Sequence, residues 1–243
     1  MFKNYLFDLY GTLADTHTDE WDMSLWESCA EYYSKQGTKY EAEELNKAYG
    51  SLVDKEKAVI HKAHPEYKYI DIKIEKVFAQ LYRNKGVPCG DYDKLVLDTA
   101  LFFRRTSREY IRLYDGISEL LCDLKKNGGN VYLLTNAQRS FTWDELEILG
   151  IREKFDGIVI SSDEECCKPD VHFYKIILER YGLDPKQTIM VGNDPVADIK
   201  GAKNAGLSAL YIHTNLSPEF DENTDADFVI PNGDTLKMRD YLI

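Results

Sequence analysis

The chain has 243 residues, 44% hydrophobic and 30% charged, a balance that suits one large or two small packed domains. It excludes a disordered, collagen-like or coiled-coil chain, and no apolar run approaches the roughly 20 residues that span a bilayer. Acidic side chains outnumber basic ones 42 to 30, a formal net charge of −12, which opposes a polyanionic nucleic-acid partner. The chain opens on a short apolar run, residues 5–7, that stops at Asp8 within DLYGTLAD. A charge at that point interrupts the apolar stretch a secretory leader needs. Five scattered cysteines, an odd number, fit a reducing compartment, so a cytoplasmic protein is expected, with Cys166 and Cys167 as free thiols.

Residues 16–105 have a different rhythm. Trp21, Leu25, Cys29, Tyr32 and Tyr33 follow helical spacing, as do Ile70, Ile74, Val77, Phe78 and Leu81. Pro65, Gly86 and Pro88 punctuate the stretch. About four helices and no strand are predicted. This insert carries 14 basic against 16 acidic residues, while the remainder carries 16 against 26.

From residue 106 onward, short apolar runs alternate with helical patterns. Strands are predicted at 131–134, 157–160, 188–191, 209–212 and 228–230. Helices are predicted at 117–126, 140–149, 171–181 and 195–205, each stopped by a glycine within two residues. The expected fold is α/β: a doubly wound, Rossmann-like parallel-sheet core from 1–15 and 106–243, with 16–105 as an inserted all-α domain.

In such a sheet the ligand sits outside the carboxyl ends of the strands. The residues leaving the predicted strands are Asp8, Thr135-Asn136 and GND ahead of Asp198, with Lys168 of KPD in the loop after 157–160. They bring carboxylates, a hydroxyl, an amide and an ammonium to one crevice. Each has a plainer reading alone: Asp194 before Pro195 is also a good helix N-cap, and Asp198 a first-turn helix charge. His61, His64, His172 and His213 show no ligand spacing.

In order, D-x-x-G-T-L, T-N, K-P-D and G-N-D-x-x-x-D-I-x-G-A-x-x-A-G resemble the motifs of the haloacid dehalogenase-like (HAD) hydrolase superfamily, over nearly the whole chain. The resemblance identifies the insert with the α-helical cap that follows motif one. It implies that Asp8 is a nucleophile forming an aspartyl intermediate that water hydrolyses. Thr135 and the amide after it would hold a substrate oxygen, and Lys168 would stabilise developing charge. Asp8, Asp194 and the main-chain carbonyl of Tyr10 would bind Mg²⁺. Asp198 would orient the loop or a metal-bound water, with Asn193 in the outer shell. The implied substrate is a small phosphorylated metabolite.

One position departs from the family's phosphatases: Tyr10 stands where they carry a second Asp that shuttles the proton. D-x-Y-G-T is also the form of the family's 2-haloacid dehalogenases, whose halide leaves without a proton. Those enzymes work without metal and use an early cap arginine. Here Asp194 is present and the first arginine of the chain is Arg83. A Mg²⁺-dependent phosphatase therefore ranks first and a 2-haloacid dehalogenase second, ahead of a HAD-fold metabolite-binding protein with weak turnover.

Overall fold

The computed structural model describes residues 2–220 and 222–243. Its strands are β1 (Asn4–Phe7), β2 (Ala14–Thr18), β3 (Arg108–Leu113), β4 (Asn130–Thr135), β5 (Gly157–Ile160), β6 (Thr188–Gly192), β7 (Ser208–Ile212) and β8 (Phe228–Ile230). Six of them form one parallel sheet in the order β5-β4-β1-β6-β7-β8. Its helices are α5 (Ile117–Lys126), α6 (Arg139–Ile148), α7 (Ser161–Glu164), α8 (Val171–Tyr181), α9 (Gly201–Asn204) and α10 (Met238–Leu242). Tyr5, Phe7, Val131, Leu133, Ile189 and Val191 share one hydrophobic layer with Leu120, Leu121 and Leu124 of α5. Leu6, Tyr132, Leu134 and Met190 enter the opposite layer with Phe173 and Ile177 of α8. Both faces are covered, which is why these strands read as continuous apolar runs. In the ladder Phe7 pairs with Leu133 and with Val191, so Asp8 leaves the sheet between the ends of β4 and β6.

Residues 23–107 hold α1 (Met23–Lys35), α2 (Ala42–Ala63), α3 (Ile74–Asn84) and α4 (Lys94–Ser107). They pack on a core of their own, including Leu25, Trp26, Tyr33, Phe78 and Phe103, which Phe141 of α6 joins. Two expectations for this stretch need correction. Trp21 is 89% exposed and precedes α1, whose N-cap is Asp22. Ile70 precedes α3 and lies in a loop against the core.

A two-stranded antiparallel ribbon was not expected at the insert's borders. β2 pairs with β3 from Ala14–Leu113 to Thr18–Arg108. Its sequences, ADTHT and REYIRL, mix polar residues with Ala14, Ile111 and Leu113, which pack on the main core, so cross-strand pairs and this partial burial together hold the ribbon. The helix expected over 195–205 is a π-helical turn, Pro195–Lys200, followed by α9. The Tyr174 hydroxyl lies 2.7 Å from the Ala197 carbonyl oxygen and 3.0 Å from that of Asp198, donating to acceptors of this wider turn. Among the described residues no helix is long and apolar enough to cross a membrane.

Candidate active site

The loop after β1 turns sharply at Gly11, with φ +84°, and an added Cβ there would lie 2.2 Å from Asn193 Nδ2. Only glycine satisfies both the backbone and the close approach. Thr12 Oγ1 donates to Asn193 Oδ1 at 3.3 Å, joining this loop to the one after β6.

Asp8 is 7% exposed. Its Oδ1 lies 2.6 Å from Lys168 Nζ, and Asp198 Oδ1 lies 2.7 Å from the same ammonium. Burial alone would lower the lysine's pKa, but the charges of Asp198 and Asp8 outweigh it and hold it above the ordinary value. Burial pushes the Asp198 carboxyl up to about 6, the adjacent ammonium opposing it. Asp198 Oδ2 accepts from the Asp194 amide at 2.9 Å. Both Asp198 oxygens are thus committed, one to the lysine and one to the loop. Asp194 Oδ1 caps the following turn, accepting from the amides of Val196 at 2.7 Å and Ala197 at 2.8 Å.

Asp8, Tyr10, Asn136, Lys168, Asp194 and Asp198 line one crevice of about 240 Å³. Thr135 is fully buried, and its Oγ1 has no hydrogen-bond partner among the described residues. The Asn136 side chain is spent on positioning: it donates to the Lys168 carbonyl oxygen at 2.9 Å and accepts from the Lys168 amide at 2.8 Å. Among the described residues no group of three or more His, Cys, Asp and Glu side chains forms a metal cage. The donor set facing the crevice is the carboxylate pair Asp8 and Asp194, which with carbonyl and water oxygens fits a hard divalent cation rather than zinc.

Tyr10 faces a second cluster. Its hydroxyl donates to Glu145, whose side chain is fully buried. Glu145 Oε1 also accepts from Arg104 Nε at 2.7 Å and from Arg108 at 2.8 Å. The remaining Arg104 nitrogen, NH1, lies 3.5 Å from Glu20. Burial, reinforced by the Glu145 charge, raises the Tyr10 phenol far above its ordinary value, so it is no base near neutrality. Sequence reading missed Glu145, Arg104 and Arg108. The available signal was a charged Glu145 four residues after Phe141 on the buried stripe of α6. Asp15 does not reach the crevice: it accepts from Arg112 at 2.7 Å and Asn215 at 2.8 Å.

Beside the crevice lies a larger cavity of about 450 Å³ between the insert and the core. Glu20, Tyr49, Asp71, Arg104 and Gln138 line it, and Tyr10 and Asn136 line both spaces. The five cysteines are unbridged; burial raises the Cys166 and Cys167 thiols to about 12.

A family model described as haloacid dehalogenase-like hydrolase matches residues 2–206. A glyceraldehyde 3-phosphate phosphatase of Methanothermobacter thermautotrophicus is 32% identical over 123 residues, 51% of this chain and 52% of that one. A phosphoserine phosphatase of Thermus thermophilus is 28% identical over 140 residues, 58% of this chain and 56% of that one. The chain therefore spans about half the length of these curated relatives. Across the whole fold it resembles the crystal structure of a 2-haloacid dehalogenase from Pseudomonas syringae pv. Tomato, with a TM-score of 0.67 at 20% identity, covering 100% of this chain and 98% of that one. With the parallel sheet, the motif-bearing strand ends and a family match over most of its length, the chain belongs to the haloacid dehalogenase-like hydrolases.

Proposed function

We propose that the protein is a Mg²⁺-dependent phosphatase of small phosphorylated metabolites that works through an aspartyl-phosphate on Asp8. The observation that carries this reading is the buried Asp8–Lys168–Asp198 array opening into a crevice shared with Asp194. Lys168 orients Asp8 through Oδ1, and no hydrogen bond holds Oδ2 among the described residues. A carboxylate is ionised at neutral pH and needs no base for the first step. An Asp8 oxygen attacks phosphorus, the bond from phosphorus to the ester oxygen breaks, and the leaving alcohol takes a proton from water. Water then attacks the phosphorus of the acyl phosphate, releasing inorganic phosphate and regenerating the Asp8 carboxylate.

Asp8, Asp194 and the Tyr10 main-chain carbonyl would hold the Mg²⁺, with Asp198 in the outer shell; the ion would offset the charge of the phosphoryl group. Thr135 and the Asn136 amide would bind a phosphoryl oxygen, which would satisfy the orphaned Thr135 hydroxyl. The organic part of the substrate would occupy the larger cavity, covered by the inserted helices acting as a cap. The names of the two phosphatase relatives support the reaction class.

Tyr10 favours the second reading, a 2-haloacid dehalogenase. That reaction needs a free cation for the carboxylate or the halide. Arg104 is the guanidinium beside Tyr10, and Glu145 and Glu20 already engage it. The deciding experiment is turnover of acetyl phosphate and p-nitrophenyl phosphate with Mg²⁺ and with EDTA, beside 2-chloropropionate. Phosphate release abolished by EDTA supports the phosphatase. Chloride release that survives EDTA replaces it with the dehalogenase. No turnover of any of the three leaves the metabolite-binding reading.

A further inference from the structure

Besides its two chain connections and the packing of α4 on α6, the insert touches the core at the loop between α2 and α3. Ile70 forms an antiparallel bridge with Cys166. The Cys167 amide donates to the Tyr69 carbonyl oxygen at 3.1 Å, and the Asp71 amide donates to that of Glu165 at 3.2 Å. Three carboxylates reinforce this seam. Asp170 Oδ2 accepts from the amides of Lys68 at 2.6 Å and Tyr69 at 3.1 Å, while its Oδ1 caps α8 through the His172 amide at 3.0 Å. Asp71 accepts from Ser161 Oγ at 2.5 Å and from Gln138 Nε2 at 3.0 Å. Glu165 lies within 3.7 Å of His64, Lys73 and Lys76 of the insert, with its own backbone in the left-handed region at φ 58°. A non-glycine residue stays in that region only where its surroundings over-determine it.

Lys168 lies inside this seam, one residue after Cys167 and two before Asp170. We propose that Asp170, with Asp71, is a positioning residue that fastens the α2–α3 loop to the segment carrying Lys168. Closure over the larger cavity and placement of the ammonium beside Asp8 are then one event. The insert is a latched wall whose release slackens the reactive array, rather than a lid swinging on two connections. Burial would raise the Asp170 carboxyl, but bonds from His172, Tyr69 and Lys68 outweigh it and hold it below its usual range. Asp170 is therefore charged at neutral pH, and hydrogen bonds to a charged acceptor are the stronger kind.

The part of this inference that concerns catalysis rests on the proposed reaction; the coupling does not. The test is residue-resolved amide hydrogen exchange on the full chain. In the wild type, the amides of Tyr69, Asp71 and Cys167 should share one opening equilibrium, with protection within about threefold of one another. In Asp170→Ala and in Asp71→Ala, made separately, protection at all three should fall together by at least tenfold, while β1 and β4 stay protected. Turnover of acetyl phosphate should fall about tenfold or more in kcat with a smaller change in KM, and Asp170→Asn should recover part of it. Wild-type amides that open independently overturn the latch without recourse to any variant. Loop amides that lose protection while Cys167 keeps it, with kcat unchanged, overturn it as well. Coupled exchange in a protein that turns over no phosphoester supports the latch and removes the reaction.

Discussion

Two buried charge clusters begin two residues apart on the same loop, and they are built to opposite ends. Around Asp8, one ammonium faces two carboxylates, Asp8 and Asp198, and the Thr135 hydroxyl at the end of the neighbouring strand has no partner among the described residues. That side carries an excess negative charge and an unsatisfied hydroxyl, which the proposed metal ion and phosphoryl group would complete. Around Tyr10, the Glu145 carboxylate meets two guanidinium groups and a phenol, and Arg104 reaches on to Glu20. That side closes on itself. A buried ion network that is fully paired specifies geometry, whereas one left short of a partner is a place for chemistry. In the proposed reaction Asp8 is the reacting group, while Tyr10 ties its loop to α6 and, through Glu145, to the insert.

The largest effect expected from breaking this contrast is at Asp8. Asp8→Asn should reduce kcat by at least about 10³-fold with an unchanged thermal transition, since removing a nucleophile leaves only binding and electrostatics. Near-wild-type turnover would move the chemistry elsewhere. In the closed cluster the cost should fall on stability instead. Glu145→Ala strands Arg108 and leaves Arg104 only Glu20, and should cost about 3–5 kcal/mol in denaturant unfolding, the usual penalty for breaking a buried pair. A loss under 1 kcal/mol would mean that the arginines find solvent and the cluster is no anchor.

Next comes the proton. Tyr10 is committed to Glu145, and Asp15 to Arg112 and Asn215, so neither supplies the general-acid contribution, typically 10²–10⁴-fold. Acyl and aryl phosphates should exceed simple alkyl phosphates in kcat/KM by about 10²-fold, and Tyr10→Phe should leave that ratio unchanged. A ratio near one, or one that shifts in Tyr10→Phe, would return the phenol to the reaction.

The smallest effect is a pH dependence at Asp15. Burial would raise its carboxyl, but Asn215 and Arg112 outweigh that and hold it below the ordinary value. A lowered folded-state value gives stability that is present above the unfolded value of about 3.9 and is lost as pH falls through the lower one. The stability difference between wild type and Asp15→Asn should therefore be flat from neutrality to about pH 5 and shrink below about pH 4. A difference that grows on acidification would contradict the pairing.

The sheet was legible because both of its faces are buried, so 5–7, 131–134 and 188–191 stand out as apolar runs, and the residues after the first and last of these, Asp8 and Asp194, line one crevice. The ribbon was not legible, because pairs such as Asp15 with Arg112 and His17 with Tyr110 are polar, and Ala14, Ile111 and Leu113 are too few to stand out as a strand period. Trp21 and Ile70 misled because helical spacing in a list of apolar residues does not say where a helix begins. Glu145 and Asp170 were invisible as partners of Tyr10 and Lys68, since bonds spanning 135 and 102 residues have no local signature.

The ribbon has one more consequence. Thr18 pairs with Arg108, so the whole insert is, topologically, one long hairpin loop whose ends are already side by side. Closing a loop costs entropy that grows only as the logarithm of its length, about 0.6 kcal/mol per doubling. The insert can therefore grow, shrink or be exchanged with little penalty to the core's chain path. Once the ribbon zips, β1 and β4 find each other through a short detour rather than across the full stretch from Asn4 to Asn130. The ribbon thus shortens the loop that the pairing of the central strand with β4 must close.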